Sequence, residues 1–480
     1  MSDASYFVSA TDSAQESVVI HPKRRNVELV MCLFAGALGL GGWALTNFNQ
    51  TGAIPGNWPV VVAAWLGVCL TAHFFVRWKA PWADPVLLPC VLALNGLGLA
   101  MIARLDLASR APTAPTQLLW TVLGVAAFAA VLIFVRDYRS LQRFPYLLFL
   151  VGLGLLLLPL VPVLGQEING SRIWIRVAGF SFQPAELAKI VLTLAFASYL
   201  ADRSDVLQLA GRKVLGVRVP RLRDLVPILI MWGAAVVVLV FQNDLGTSLL
   251  FFGLFVMMMY VSTNQGGWVA LAGVLFAAAA LLVYQFAGHV RVRVESWLDP
   301  FANFAQNGQI IEGSFGMAWG GLTGRGWGLG RPWQIPLANS DFIFAALGEE
   351  LGLIGMVCIV MVYAILVFRG LRTALSSHDG FGKLLAAGLS FTFALQTFAI
   401  IGGVTRLLPL TGLTTPFMSQ GGSSMLSNWV IVALLMRVSH QARMPVITTA
   451  ETEPYADLGA ETTSLIAAQP GIPATGRGTT

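Results

Sequence analysis

Twelve runs of apolar residues, each close to the roughly 20 residues that carry a helix across a bilayer, leave this chain few folds to choose from. They fall at 27–47, 59–78, 85–104, 116–135, 145–163, 185–201, 225–241, 246–262, 267–287, 342–368, 384–404 and 423–440. Inside lipid every backbone N–H and C=O has to be satisfied within its own segment, so runs of this length are read as helices. Composition agrees: only 11% of residues are charged, against about a quarter in soluble domains. The expected fold class is all-α, a polytopic membrane protein of about twelve transmembrane helices with a large extracellular loop at 288–340.

Basic residues set the orientation. With the N-terminus inside, the inner segments gather Lys23, Arg24, Arg25, Arg77, Lys79, Arg136, Arg139 and Arg143, with further clusters after the sixth, tenth and twelfth runs. The outer segments carry fewer, so both termini are expected in the cytoplasm. The net charge of +6 then reports topology and not a nucleic-acid partner. Cys32, Cys69, Cys90 and Cys358 stand in apolar runs without C-x-x-C spacing and read as small core residues, not as a disulfide frame or metal site. Residues 1–20 are polar and acidic, so no cleavable signal peptide is expected. Residues 1–26 and 441–480 read as disordered cytoplasmic ends. Two helices within 27–80 precede a membrane core at 85–440. The 288–340 loop is rich in Trp, Phe, Ile and Gly, which argues for order. Gln309 to Trp319 suits an amphipathic helix at the interface, with Trp297, Trp319, Trp327 and Trp333 at headgroup level.

The chemistry-bearing candidates are polar groups at the ends of spans. Asn339 to Gly352 closes the long loop and opens an apolar run. Ser340 is placed to cap that helix, with Asp341 in its first turn, where the positive helix end keeps a carboxylate ionised. Asp341 is then either a cap or a general base, which needs an ionised carboxylate at a cavity. Glu349 and Glu350 follow about two turns deeper, as cavity-lining groups or protonated structural acids. Glu186 and Lys189, in Gln183-Pro184-Ala185-Glu186-Leu187-Ala188-Lys189, are three apart and share a helix face. They read either as a self-neutralising pair or as a cation for a phosphate group tuned by an acid. Asp244, in the tight turn Gln242 to Thr247, is an N-cap or a substrate contact. Arg172 and Trp174, within Gly170 to Arg176, suit a headgroup zone or a sugar-phosphate. Gly324 to Gly330 uses G-x-G-x-x-G vocabulary without a preceding strand or a following Lys-Ser/Thr, so permissive backbone in a re-entrant loop is the better reading. Pro416 to Ser424 has no His at partner depth, which argues against a serine nucleophile. A Gly-rich nest for an anion, or a helix cap, fits it better, with Ser423 and Ser424 as substrate-binding candidates.

Five of these motifs, in this order and between these spans, resemble the SEDS family of cell-wall proteins (RodA, FtsW, SpoVE) over about residues 85 to 440. They are Gly170 to Trp174, Phe182 to Lys189, Gln242 to Thr247, Ser340 to Phe344 with Glu349 to Gly352, and Gly421 to Ser424. The resemblance is closer to the RodA branch of the elongation machinery, in its actinobacterial form, than to the FtsW branch of division. It implies a ten-helix core, to which this chain adds two N-terminal helices. It implies a peptidoglycan glycosyltransferase that polymerises lipid II, carried on undecaprenyl pyrophosphate, at the outer face of the bacterial cytoplasmic membrane. By that match Asp341 deprotonates the 4-hydroxyl of the acceptor sugar. Lys189 offsets charge on the leaving pyrophosphate with Glu186 orienting it, and Asp244 and Trp174 line the cavity. The implied partner is a class B penicillin-binding protein, a transpeptidase. No cofactor is certain; Mg²⁺ or Mn²⁺ is compatible with acids near a pyrophosphate, but no ligand set stands out. Ala185 replaces a more usual Ser and Gln420 a more usual Tyr or Ala, and neither change removes a charge. The competing readings are a lipid II flippase, an FtsW-type division paralogue and a scaffold. Inverted repeats, which would favour transport, are not seen, and a scaffold needs no charges at membrane depth.

Overall fold

The computed structural model describes residues 23–445 apart from 110, 169–170, 178, 210, 215–216, 221 and 287. Most of the expected disordered ends, 1–26 and 441–480, lies outside the described residues. Within them 25–26 and 441–443 are helical. The chain opens with α1 (Arg25–Thr51), α2 (Trp58–Lys79), α3 (Leu87–Asp106), α4 (Ala114–Phe134) and α5 (Pro145–Leu157). An antiparallel sheet follows, β1 (Gly165–Ile168), β2 (Ser171–Val177) and β3 (Phe180–Phe182), with β2 central. Next come α6 (Pro184–Leu209), the hairpin of β4 (Gly211–Val214) and β5 (Val217–Pro220), then α7 (Leu222–Phe241), α8 (Leu245–Thr263) and α9 (Gly267–Phe286). The long loop holds α10 (Gly288–Leu298) and α11 (Phe304–Gly320), and the chain ends in α12 (Ile343–Ser376), α13 (Gly380–Val404) and α14 (Gly422–Arg443).

Among the described residues nine helices are long and apolar enough to cross a membrane. Three shorter apolar helices, Pro145–Leu160, Leu229–Phe241 and Gly267–Ala278, coincide with the remaining apolar runs. The protein is membrane-embedded and all-α apart from two small sheets that apolar runs do not reveal. The core is built on α6 and α14, whose most apolar stretches are 83% buried, whereas those of α1 and α2 are only 33% buried. Their outward Val30, Phe34, Val60 and Phe74 face the lipid, which needs no polar cover. Cys358 is also exposed, on the lipid side of α12, so it is not the core residue expected; the other three cysteines are buried. One face of the bundle carries the chain termini of α1 and α14 (the terminal face); the other carries α10, α11 and the long loop (the loop face).

The tenth apolar run is not one continuous helix. Gly352 breaks α12 with φ 68° and ψ −171°, a conformation that is essentially restricted to glycine. The loop after α11 threads this break. N–H groups of Arg325 and Gly326 donate to the carbonyls of Glu349 and Glu350, ending the first half-helix. Carbonyls of Gly321 and Leu322 accept from Leu353 and Ile354 N–H, starting the second. The groups that a broken helix orphans are thus satisfied by the loop, which is what allows irregular backbone beside a membrane. The half-helix Ile343 to Glu350 is buried throughout.

Candidate active site

Asp341 lies just ahead of this buried half-helix, not in its first turn. The residue at the N-cap is Phe342, with no side-chain cap, and the Ser340 hydroxyl turns back to the Leu337 carbonyl at 3.4 Å. The expected capping role of Ser340 is therefore overturned: a turn through Leu337, at φ 57°, sets the entry to α12 instead. Asp341 is half-buried, and burial pushes its carboxyl up to about 6, with Arg293 pulling the other way. The helix-end stabilisation expected for it is not what governs its charge.

Glu349 and Glu350 are buried and engaged by the Gly-rich loop and Arg104. Glu350 accepts from Arg104 Nε at 2.9 Å and from Gly328 N–H at 3.0 Å; Glu349 accepts from Arg331 N–H at 2.7 Å. Arg104 also donates to the carbonyls of Gly330 (2.9 Å) and Gly328 (3.3 Å). These two acids hold the Gly-rich loop against α12. Positive φ at Gly324, Gly326 and Gly328 lets that loop pack this tightly.

The remaining candidates converge on the coil between α13 and α14. The Ser340 carbonyl accepts from Ser419 Oγ at 2.6 Å, and the Asn339 carbonyl from Gln420 N–H at 2.7 Å. The Asn339 and Gln420 side chains bond to each other, so Gln420, unusual by resemblance, ties the Asp341 turn in place. Gln117 of α4 donates to the Ser419 carbonyl and accepts from Gly421 N–H, both at 3.1 Å. Deeper, Lys189 pairs with Glu186 at 2.7 Å and donates to Gln396 at 2.8 Å; Gln396 in turn holds the Thr414 carbonyl at 2.8 Å. Ser427 donates to Glu186 at 2.9 Å, and Ser424 accepts from Thr414 at 3.0 Å and Asn428 at 3.1 Å. Ser423 is buried in the first turn of α14.

Asp244 does cap α8, accepting from Thr247 N–H at 3.0 Å. Its other oxygen, Oδ2, is buried without a hydrogen-bond partner among the described residues. Burial pushes this carboxyl up; the Thr247 bonds and Arg293 pull it down, and the charge of Glu186 pushes it further up. Arg293, on α10, thus lies within electrostatic reach of both Asp244 and Asp341, while donating to the carbonyls of Leu410 (3.4 Å) and Thr411 (3.3 Å). The result is a line of charge on the loop face: Lys189, Glu186, Asp244, Arg293, Asp341.

Arg172 and Trp174 lie on β2, which approaches the Asp244 turn, where the Ser171 hydroxyl donates to the Asn243 carbonyl at 3.5 Å. Both fall on one side of β2, opposite the buried Ile175, and Arg172 is exposed and paired with Glu167 at 3.0 Å. Gly170 lies outside the described residues. For a divalent cation, no group of three His, Cys, Asp or Glu gathers among the described residues. Sequence reasoning missed Arg293, Gln117 and Gln396. The two glutamines carried a usable signal, each being a lone polar side chain inside or beside an apolar run.

The chain is similar to known proteins over most of its length. Residues 85–444 match the FtsW/RodA/SpoVE model of cell cycle proteins. The chain is 48% identical over 435 residues to the peptidoglycan glycosyltransferase RodA of Mycobacterium tuberculosis, covering 89% of this chain and 93% of that protein. Its identity to the RodA of Mycobacterium leprae is 46% over 432 residues, with 88% and 92% covered. Among solved structures, RodA of Thermus thermophilus gives a TM-score of 0.56 at 26% identity, covering 77% of this chain and 99% of that one. A chain from the structure described as "Structural coordination of polymerization and crosslinking by a peptidoglycan synthase complex" gives 0.61 at 26%, with 75% and 99% covered. By the family match over residues 85–444 and by its identity to RodA across most of both chains, this chain belongs to the FtsW/RodA/SpoVE family.

Proposed function

We propose that this chain is a peptidoglycan glycosyltransferase of the RodA type, polymerising lipid II at the outer face of the cytoplasmic membrane during cell elongation. The loop face is the outer face and both termini are cytoplasmic. The observation that carries the reading is the gathering of Asp341, Arg293, Asp244 and the Glu186–Lys189 pair around one coil at the mouth of the bundle.

In this reaction the Asp341 carboxylate takes the proton of the acceptor sugar's 4-hydroxyl. That oxygen bonds to the anomeric carbon of the donor while the bond to the lipid pyrophosphate breaks, and the pyrophosphate leaves with both electrons. A carboxyl near 6 suits the base, being ionised at neutral pH yet basic enough to accept a proton. Arg293 and Lys189 are the cations placed to offset charge on the leaving group, with Glu186 and Gln396 fixing the Lys189 ammonium. Asp244 Oδ2, buried and without a hydrogen-bond partner among the described residues, is the acceptor for a substrate hydroxyl. Ser423 and Ser424 shape the floor; Arg172 and Trp174 act at the headgroup zone. A class B penicillin-binding protein is the partner that cross-links the product.

The experiment incubates the purified protein with lipid II, with and without its transpeptidase partner, and resolves the glycan strands. Polymer from the wild type and none from Asp341→Asn is expected. Lipid II carried across vesicle membranes without polymer would point to the flippase instead.

A further inference from the structure

The two N-terminal helices lie outside the family match, which begins at residue 85, and the Thermus structure is covered almost completely by 77% of this chain. α1 is nonetheless fixed along its whole length. At the terminal face Arg25 donates to the Ala83 carbonyl, and Glu28 holds His73 at 2.9 Å. Midway, Gly39 meets Gly96 of α3 so closely that a Cβ on Gly39 would stand 2.7 Å from the Gly96 Cα. At the loop face, Gly42 receives the ring of Trp327, and a Cβ there would stand 2.9 Å from it. Beyond it Asn49 donates to the Trp327 carbonyl at 2.7 Å and Gln50 donates to the Gly328 carbonyl.

The loop segment that α1 grips is also held by Arg104, which shares the Gly328 carbonyl with Gln50, and by Glu350, which accepts from Gly328 N–H. It continues from the strand of backbone that threads the break in α12. That break ends the buried half-helix whose other end presents Asp341. The contact therefore runs in three short steps from α1, through the loop, to the turn holding the base.

We propose that α1 is a strut, with Asn49 and Gln50 acting as positioning residues that fix the Gly-rich loop and, through the α12 half-helix, the placement of Asp341. The inference rests on the reading of Asp341 as the base. It gives the added helices a part in the reaction without touching substrate. Two neutral hydrogen bonds, each a modest net contributor, are the means, so the effect on rate is limited.

The test uses full-length protein and lipid II across a range of concentrations. Asn49→Ala/Gln50→Ala is expected to lower kcat about fivefold, with KM within about twofold and only a small drop in thermal midpoint. Both side chains are exposed, so folding is not at stake. Gln50→Glu, which keeps the shape but loses the donor, lowers kcat, and Gln50→Lys, which keeps a donor, restores it. Gly42→Ala, which crowds the Trp327 ring, lowers kcat as well. An unchanged kcat in the double variant overturns the strut, as does a loss that appears only in KM or that Gln50→Lys shares with Gln50→Glu. Asp341→Asn is assayed beside them: activity in that variant sinks the base and leaves the strut measurements readable, whereas a silent double variant sinks the strut alone.

Discussion

Two aspartates stand at the starts of neighbouring helices, at opposite faces of the bundle, and their surroundings differ in kind. Asp379 caps α13. It accepts from Gly382 N–H at 2.8 Å, from the Tyr138 hydroxyl, and from Arg139 at 3.3 Å. Burial pushes its carboxyl up, but those bonds and the Arg139 charge outweigh this and hold it below the usual range. Asp341, ahead of α12, has burial pushing it up to about 6, opposed by Arg293 at a distance. A carboxylate fully engaged by donors is spent on structure; one left under-stabilised near neutral pH is available to take a proton.

The contrast breaks first if Asp341→Asn still polymerises lipid II. Loss of at least a thousandfold in kcat is expected, with the fold retained, measured on purified protein. The stability sign follows from the raised carboxyl. Its folded value lies above the unfolded one, so its contribution is full below about pH 4 and is lost as pH rises through about 6. Asp341→Asn should thus raise the thermal midpoint at pH 8 and leave it unmoved at pH 4. Wild-type turnover should fall as pH drops through about 6, with Asp341 protonated.

The next largest effect is at Lys189. Both members of its pair with Glu186 are less than a tenth exposed, so Lys189→Met leaves a buried charge without its partner, costing about 3–5 kcal/mol of stability. The double variant Glu186→Gln/Lys189→Met should recover most of the thermal midpoint and none of the polymerisation. A double variant that recovers both would reduce the pair to a structural tie.

The spans were legible because bilayer thickness and backbone satisfaction leave one solution for a long apolar run. The Glu186–Lys189 pair was legible for a similar reason, since spacing of three puts both on one face before any tertiary contact is known. What the sequence hid was set by turn geometry and by loop-to-helix contacts that helical spacing does not encode. Glu349 and Glu350 read equally well as cavity acids; it is Arg331 N–H on Glu349, and Gly328 N–H with Arg104 on Glu350, that make them loop anchors. Ser340 has the chemistry of a cap, but the Leu337 turn directs its hydroxyl elsewhere. The break at Gly352 looked like ordinary helix because the loop that fills it comes from a different part of the sequence. β2 did carry a local sign, alternation in Ser171 to Val177, which a search for runs passes over.

The smallest effect belongs to Asp379, and it tests the other half of the contrast. Asp379→Ala removes a cap, so about 1 kcal/mol of stability should be lost at neutral pH. Because its folded value is lowered, the contribution is present above the unfolded carboxylate value, near 4, and is lost as pH falls through the folded one. The gap in thermal midpoint between wild type and Asp379→Ala should hold steady from pH 5 to 8 and narrow below pH 4, the reverse of Asp341→Asn. Turnover per folded molecule should not change, since Asp379 lies on the terminal face with Tyr138 and Arg139. If Asp379→Ala slows polymerisation while Asp341→Asn does not, the difference between a satisfied and an under-satisfied carboxylate has been assigned to the wrong residue.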